Sequence, residues 1–92
     1  MGKRILYRKR IHPNGAIEER VIWSVPKTLK YPDGIKYRLA YIDKPKRKPL
    51  VLYDNHYPKG HHKHIGSREI FYAYTSVEQL LKDFKRYIRE VR

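Results

Sequence analysis

The feature that most limits the fold is a pair of strand-like runs joined by four turn-forming residues. The runs RILYRKRI (4–11) and AIEERVIWSV (16–25) flank His12-Pro13-Asn14-Gly15, and Asn-Gly supplies the positive φ angles of a tight hairpin turn. The second run alternates in character, so we expect one of its faces in the core: Ile17, Val21, Trp23 and Val25. The sequence therefore predicts a β-hairpin.

Later runs continue the strand pattern. IKYRLAYI (35–42) alternates, PLVLYDN (49–55) is apolar on both faces, and REIFYAY (68–74) reads as a fifth strand, while residues around HHKHIG (61–66) become extended again. The segment DKPKRKP (43–49) carries four cations and two prolines. We expect it to be an exposed loop rather than a localisation signal.

The C-terminal segment has helical periodicity. Thr75 and Glu78 have the spacing of a capping box. Beyond them, apolar residues repeat on one side of a helix over residues 76 to 91: Val77, Leu80, Leu81, Phe84, Ile88 and Val91. We predict one α+β domain over residues 1–92, in which a curved antiparallel sheet of about five strands carries a C-terminal amphipathic helix on one face.

The charge balance points to a polyanionic partner. Lys and Arg number 22 against 9 Asp and Glu, which gives a net charge of +13. Such an excess attracts polyanions, so nucleic acid is the first partner to consider. Cysteine is absent, which excludes disulfides and thiolate chemistry. No apolar run has membrane length, so we expect a cytoplasmic protein without membrane association and without a cofactor.

Four of the five histidines fall within YDNHYPKGHHKH (53–64). If residues 61 to 65 are extended, His62 and His64 project from the same side, with Cα atoms about 6.5–7 Å apart. Such a pair can serve as acid and base in phosphodiester cleavage, because a histidine pKa of about 6.5 populates both protonation states. It can also bind a metal with Asp54 or His56 as third ligand, or form a basic loop that contacts phosphate without chemistry.

The order of motifs resembles the TumE family of toxins. The likeness runs through VIWSVP, IKYRLAYI, VLYDNHYPKGHHKH and SREIFYAYTSVEQLLKDF. Its most specific element is Tyr53-Asp54-Asn55, then Lys59-Gly60, then His62-Lys63-His64. The resemblance implies a small prokaryotic toxin encoded beside a helix-turn-helix antitoxin that neutralises it by binding.

Together these features favour a toxin that cleaves RNA without a metal ion. In this hypothesis His62 and His64 are acid and base, and Asp54 orients one of them. The residues expected to bind phosphate or RNA are Lys59, Lys63, Arg68, Tyr53 and Asn55. Two alternatives stay open: a non-catalytic module that binds nucleic acid or the ribosome, and a metal-dependent hydrolase or nucleotidyl transferase.

Several other side chains have structural expectations. Glu69 is expected in a surface ion pair, and Trp23 in the core. Sheet packing is favoured over base stacking for the alternating tyrosines Tyr37, Tyr41, Tyr72 and Tyr74. A homodimer formed through a positively charged sheet edge is an open alternative.

Overall fold

In a computed structural model, which describes residues 2–43 and 48–91, the chain forms one antiparallel sheet and one helix. The strands are β1 (Lys3–Ile11), β2 (Ile17–Ser24), β3 (Ile35–Asp43), β4 (Lys48–Asp54), β5 (His62–Ile65) and β6 (Arg68–Phe71). Their order in the sheet follows the sequence, so each strand pairs with its sequence neighbours. The helix α1 (Val77–Val91) packs on one face, against β4. The predicted α+β fold with a curved sheet is confirmed.

The sheet has six strands within the described residues, one more than predicted. Residues His62–Ile65 form a strand of their own, paired with β4 on one side and β6 on the other. β6 ends at Phe71, three residues earlier than predicted. The next residue, Tyr72, still donates its N–H to the carbonyl of His61 at 3.3 Å. Its side chain lies in the core, where it is 5% exposed and its hydroxyl donates to Asp83 Oδ2 at 2.6 Å.

The predicted hairpin connects β1 and β2. The N–H of Gly15 donates to the carbonyl of His12 at 2.8 Å, and the N–H of His12 donates to the carbonyl of Ala16 at 2.8 Å. Gly15 has a φ of 87°, which glycine adopts at little cost. The turn therefore closes with the glycine at the position that needs it.

The core lies between the sheet and α1. The buried helix residues are Leu80, Phe84 and Ile88, which confirms the apolar stripe of the helix. The sheet contributes alternate residues of its central strands: Tyr37, Leu39 and Tyr41 from β3, and Val51 and Tyr53 from β4. Burial of Tyr37 and Tyr41, and of Tyr72 after β6, confirms the sheet packing predicted for them, whereas Tyr74 is half-buried.

The core-facing side of β2 is the opposite of the one predicted. Ile22 is fully buried and pairs with Tyr37, whereas Trp23 is 37% exposed on the helix-free face. The prediction failed because the buried face of β2 also carries charged residues, which made it look like the solvent face.

Glu18 is the charged residue that the core accommodates on this face. It is 5% exposed; its Oε1 lies 2.9 Å from His12 Nε2, and its Oε2 accepts from Arg20 Nε at 2.6 Å. Burial alone would raise the pKa of Glu18, but the hydrogen bonds from Arg20 and His12 outweigh it and lower the pKa. The Arg20 guanidinium also lies 5.3 Å from the centre of the Phe84 ring. Hydrogen bonds and charge pairing thus offset the cost of burying the carboxylate.

The helix begins at Val77, one residue later than predicted. Ser76 caps it, since its Oγ accepts the N–H of Gln79 at 3.1 Å. Thr75 lies outside this cap. Within the described residues, no helix is long and apolar enough to cross a membrane.

Both ends of the predicted basic loop are strand residues. Asp43 pairs with Lys48, so the flanks of segment 43–49 belong to β3 and β4. Residues 44–47 lie outside the described residues.

Candidate functional site

The two sheet faces separate the histidine pair from the core. On β5, His62 and His64 project from the helix-free face, while Lys63 between them points towards α1. The extended conformation assumed for this segment is confirmed. The two imidazoles thus share one open surface, with ring centroids 5.2 Å apart and ring planes at 75°.

The backbone just before β5 holds the imidazole of His62 in one orientation. It is 9% exposed, and its Nδ1 lies 2.8 Å from the carbonyl oxygen of Gly60. A carbonyl only accepts, so Nδ1 carries the proton and donates. In the neutral ring, the lone pair therefore resides on Nε2. Gly60 has a φ of 73°, a conformation that disfavours residues with a Cβ.

Glu69 completes the cluster from the neighbouring strand. It is the cross-strand partner of His64, and its Oε1 lies 3.3 Å from His64 Nε2 and 3.9 Å from His62 Nε2. The same oxygen accepts from Lys59 Nζ at 2.6 Å. This hydrogen bond lowers the pKa of Glu69, so the carboxylate stays ionised beside both imidazoles.

The surface around the pair has a shallow depression on each side. One, of about 310 Å³, lies beside His62 and is lined also by Lys59, Glu69 and Phe71. The other, of about 190 Å³, lies beside His64 and Leu52. Such open depressions suit an extended chain crossing the pair better than a small molecule that must be enclosed.

A second histidine network fixes the loop that carries Gly60. His61 Nε2 lies 2.7 Å from Asp33 Oδ2, and its Nδ1 lies 2.9 Å from the hydroxyl of Tyr37. Burial raises the pKa of Tyr37, so its hydroxyl stays protonated and donates to Nδ1, while Nε2–H donates to Asp33. The imidazole also stacks on the Tyr74 ring, with centroids 4.6 Å apart. This network anchors the backbone next to the Gly60 carbonyl.

The described residues contain one set of possible metal ligands, namely His62, His64 and Glu69, whose ligand atoms all lie within 4.8 Å of one another. Two imidazoles and a carboxylate suit a transition metal such as zinc. The ammonium group of Lys59 already donates a hydrogen bond to Oε1 of Glu69. A metal would therefore compete with the ammonium group for Glu69.

The comparison with protein families decides the identity of the chain. The family model described as Toxin TumE matches residues 2–92. The chain belongs to the TumE toxin family. It is thus a toxin of a toxin–antitoxin system, which implies an antitoxin as partner. No curated protein and no solved structure matches the chain.

Asp54 shares the surface with the pair but does not hold an imidazole in this TumE toxin. It is the cross-strand partner of His62, yet its Oδ1 accepts the backbone N–H of His56 at 2.6 Å. The orienting role predicted for Asp54 falls to the Gly60 carbonyl instead.

Two residues predicted to bind RNA serve the fold of the toxin. Tyr53 is fully buried and packs edge-on against Phe84, with ring centroids 6.0 Å apart. Asn55 is 4% exposed; its Oδ1 accepts the N–H of Tyr37 at 2.9 Å, and its Nδ2 donates to the carbonyl of Ile35 at 2.7 Å. We correct the prediction for both, because neither buried side chain offers a surface to RNA.

Two predicted cations lie across the sheet from the histidine pair. Lys63 Nζ lies 4.6 Å from the centre of the Tyr87 ring, on the helix side. Arg68 pairs with Ile65, whose partner Val51 is buried in the core, so Arg68 belongs to that side as well. Of the five predicted phosphate or RNA ligands, Lys59 is the one that the structure brings to the histidine pair.

The surface ion pair predicted for Glu69 is confirmed, since Lys59 Nζ lies 2.6 Å from its Oε1. The sequence also contains a signal for the position of Glu69 beside His64. Gly66-Ser67 lies between two strand runs and is typical of a two-residue hairpin turn. Counting outwards from this turn pairs Ile65 with Arg68 and His64 with Glu69, as observed.

Proposed function

We propose that this TumE toxin acts on RNA in the cytoplasm as a metal-independent endoribonuclease, with His62 and His64 as its acid and base. The observation that carries the proposal is the fixed imidazole pair on the open sheet face, 5.2 Å apart and beside the ionised Glu69. A net charge of +13 favours RNA over less charged substrates.

The hydrogen bonding supports a division of roles. His62 presents the Nε2 lone pair, since its Nδ1–H is engaged by Gly60, and it would take the proton of a ribose 2′-hydroxyl. The 2′-oxygen then attacks the adjacent phosphorus. His64, whose Nε2 lies 3.3 Å from Glu69 Oε1, would donate a proton to the departing 5′-oxygen. The products are a 2′,3′-cyclic phosphate and a free 5′-hydroxyl.

Lys59 is the cation that would face the phosphate. Its side chain is 61% exposed and reaches the cluster through Glu69. An ammonium group there stabilises the negative charge that builds up on the pentacoordinate phosphorus.

The test is cleavage of a mixed RNA pool by purified toxin in EDTA. Wild type is compared with His62→Ala/His64→Ala and with Lys82→Ala, which removes an exposed lysine of α1. We expect cutting by wild type and by Lys82→Ala, and none by the double variant, with each fold verified by circular dichroism. Cutting retained in the folded double variant would refute the assignment.

A non-catalytic role predicts a different result. The toxin would then bind RNA or the ribosome with an affinity that falls steeply with salt, and would leave no new RNA ends. Cleavage products that carry a cyclic phosphate would exclude this reading.

Metal-dependent chemistry is the second candidate, favoured by the donor set of His62, His64 and Glu69. It predicts that EDTA abolishes cleavage and that zinc or manganese restores it. It also predicts stoichiometric metal that survives dialysis in wild type and is lost in Glu69→Gln.

The partner of the toxin is proposed from the family resemblance. We expect an antitoxin with a helix-turn-helix domain that neutralises the toxin by binding. A homodimer through a sheet edge stays a prediction. Sedimentation of the toxin alone would measure homodimer formation, and sedimentation with its antitoxin would measure binding of the two proteins.

A further inference from the structure

Trp23 is a large aromatic side chain that the core does not use. It is the one tryptophan of the sequence, and it is 37% exposed on the helix-free face of β2. It lines a pocket of about 310 Å³, which also contacts Val21. An exposed indole in the wall of an open pocket offers a flat surface on which a planar ligand can stack.

Two cations border this pocket. Lys36 is the cross-strand partner of Trp23 and Arg38 is that of Val21, and both line the pocket. Arg38 Nη1 lies 3.4 Å from Glu19 Oε1 in a solvent-exposed pair, with 46% of the Arg38 side chain accessible. Because exposed pairs are weak, this guanidinium stays available to an anion.

The pocket lies on the same sheet face as the histidine pair, and Asp54, the cross-strand partner of His62, is part of its lining. Arg38 pairs with Asp54, and Asp54 pairs with His62, so the three residues form one row across β3, β4 and β5. Neighbouring strands lie about 4.8 Å apart. Arg38 is therefore about 10 Å from His62, and Trp23, one strand further and two residues along, is about 16 Å from it. A few nucleotides of an extended single strand span this distance.

We propose that the Trp23 pocket binds one nucleotide of single-stranded RNA on one side of the cleaved bond, a few nucleotides from it. The base stacks on the indole, and a flanking phosphate contacts Lys36 and Arg38. The combination of an aromatic surface with bordering cations is complementary to a nucleotide. This inference rests on the proposed function, because it places the RNA that the histidine pair cuts.

The experiment uses the intrinsic fluorescence of Trp23. The probe is a single-stranded 2′-O-methyl RNA of about eight nucleotides, which lacks the hydroxyl needed for cleavage. We expect saturable quenching in wild type, and weaker quenching by a duplex of the same sequence. Binding is followed in parallel by the anisotropy of a labelled probe.

Two substitutions locate the contact. Lys36→Ala should weaken binding severalfold and reduce the salt slope by about one. Lys82→Ala, which removes an exposed lysine of α1, should change neither.

In cleavage assays, Trp23→Leu should raise KM about tenfold with little change in kcat, and Trp23→Phe should restore most of the loss. Tyr7→Leu, which removes another exposed aromatic of the same face, serves as control.

The outcomes separate this inference from the proposed function. Quenching and Lys36 dependence without any cleavage would retain the nucleotide pocket and refute the ribonuclease. Cleavage with unchanged Trp23 fluorescence, and with wild-type KM in Trp23→Leu, would overturn the pocket. Absence of RNA binding by anisotropy would overturn it too. Quenching of Trp23 by the antitoxin but not by RNA would also overturn it, because Trp23 would then be part of a protein interface.

Discussion

The Nδ1 atom of His62 lies 2.8 Å from the carbonyl oxygen of Gly60. This contact fixes which imidazole nitrogen carries the proton, and it depends on a backbone conformation, since Gly60 has a φ of 73°. A main-chain carbonyl thus supplies the orientation that a carboxylate often provides for a catalytic histidine.

Gly60→Ala should therefore impair cleavage beyond its effect on stability. The added Cβ meets no atom within 4 Å, but the left-handed conformation costs about 1–2 kcal/mol for alanine, and its relaxation would move the carbonyl. We expect kcat to fall about tenfold or more. Gly66→Ala is the matched control, because Gly66 also has a positive φ of 62° and no atom within 4 Å of the added Cβ. Equal losses of kcat in the two variants would contradict the orienting role.

Glu69→Gln should slow cleavage without weakening the binding of RNA. The change removes the negative charge beside His64 and His62, so we expect kcat to drop about tenfold, a fraction of the total general acid–base contribution. Loss of a negative charge leaves the affinity for a polyanion unchanged or higher. Single-turnover rates and RNA Kd values measure the two effects.

The control for this variant is Glu78→Gln. Glu78 is 81% exposed on α1 and contacts Lys82, so neither parameter should change. A lower RNA affinity in Glu69→Gln with kcat retained would show that Glu69 only organises the surface through Lys59.

The sheet and the helix follow from local patterns that the sequence displays. Alternation of apolar and polar residues predicted most of the strands, and the apolar stripe from Val77 to Val91 predicted the helix. The same period placed His62 and His64 on one face. Placement of Glu69 required the β5–β6 register as well, which depends on the turn at Gly66-Ser67.

The buried face of β2 could not be read from local pattern alone. Its alternation favours Val21 and Trp23, but Glu18 and Arg20 become suitable for burial only when His12 from the hairpin turn lies beside them. Such compensation joins residues whose proximity the fold creates. For the same reason, the burial of Tyr53 and Asn55 is a tertiary property that their polar atoms conceal.

Tyr53→Phe and Tyr72→Phe should have opposite effects on stability. The Tyr72 hydroxyl donates to Asp83 at 2.6 Å, so its removal should cost about 1.5–3 kcal/mol. The buried Tyr53 hydroxyl has no hydrogen-bond partner among the described residues, so its removal should be neutral or stabilising by about 1 kcal/mol. Urea unfolding of both variants gives the difference, and destabilisation by Tyr53→Phe comparable to that of Tyr72→Phe would contradict the assignment.

Ser76→Ala should destabilise the protein more than Thr75→Ala. The Ser76 hydroxyl accepts the N–H of Gln79, and loss of an N-cap costs about 1 kcal/mol. Thr75 is exposed and outside the cap, so its substitution should change the free energy of unfolding little. Thermal or urea unfolding distinguishes the two positions, and the reverse order would place the cap at Thr75.

The dependence of stability on pH should reveal the buried Glu18. Burial opposes ionisation, but the hydrogen bonds from Arg20 and His12 lower its pKa below the usual 4.5. The folded state thus binds the proton less tightly than the unfolded state. The stabilisation is complete above pH 4.5 and disappears as pH falls through the lower folded pKa. Glu18→Gln should accordingly cost about 3 kcal/mol at neutral pH.

The difference between wild type and Glu18→Gln should narrow as the pH is lowered below 4.5, because protonation of Glu18 removes the same charge in wild type. The neighbouring Glu19→Gln is the control, since Glu19 forms an exposed pair with Arg38 and its loss should cost about 0–1 kcal/mol at any pH. Urea unfolding between neutral and acidic pH measures all three proteins. A constant difference between wild type and Glu18→Gln over this range would mean that Glu18 contributes through packing rather than through its charge.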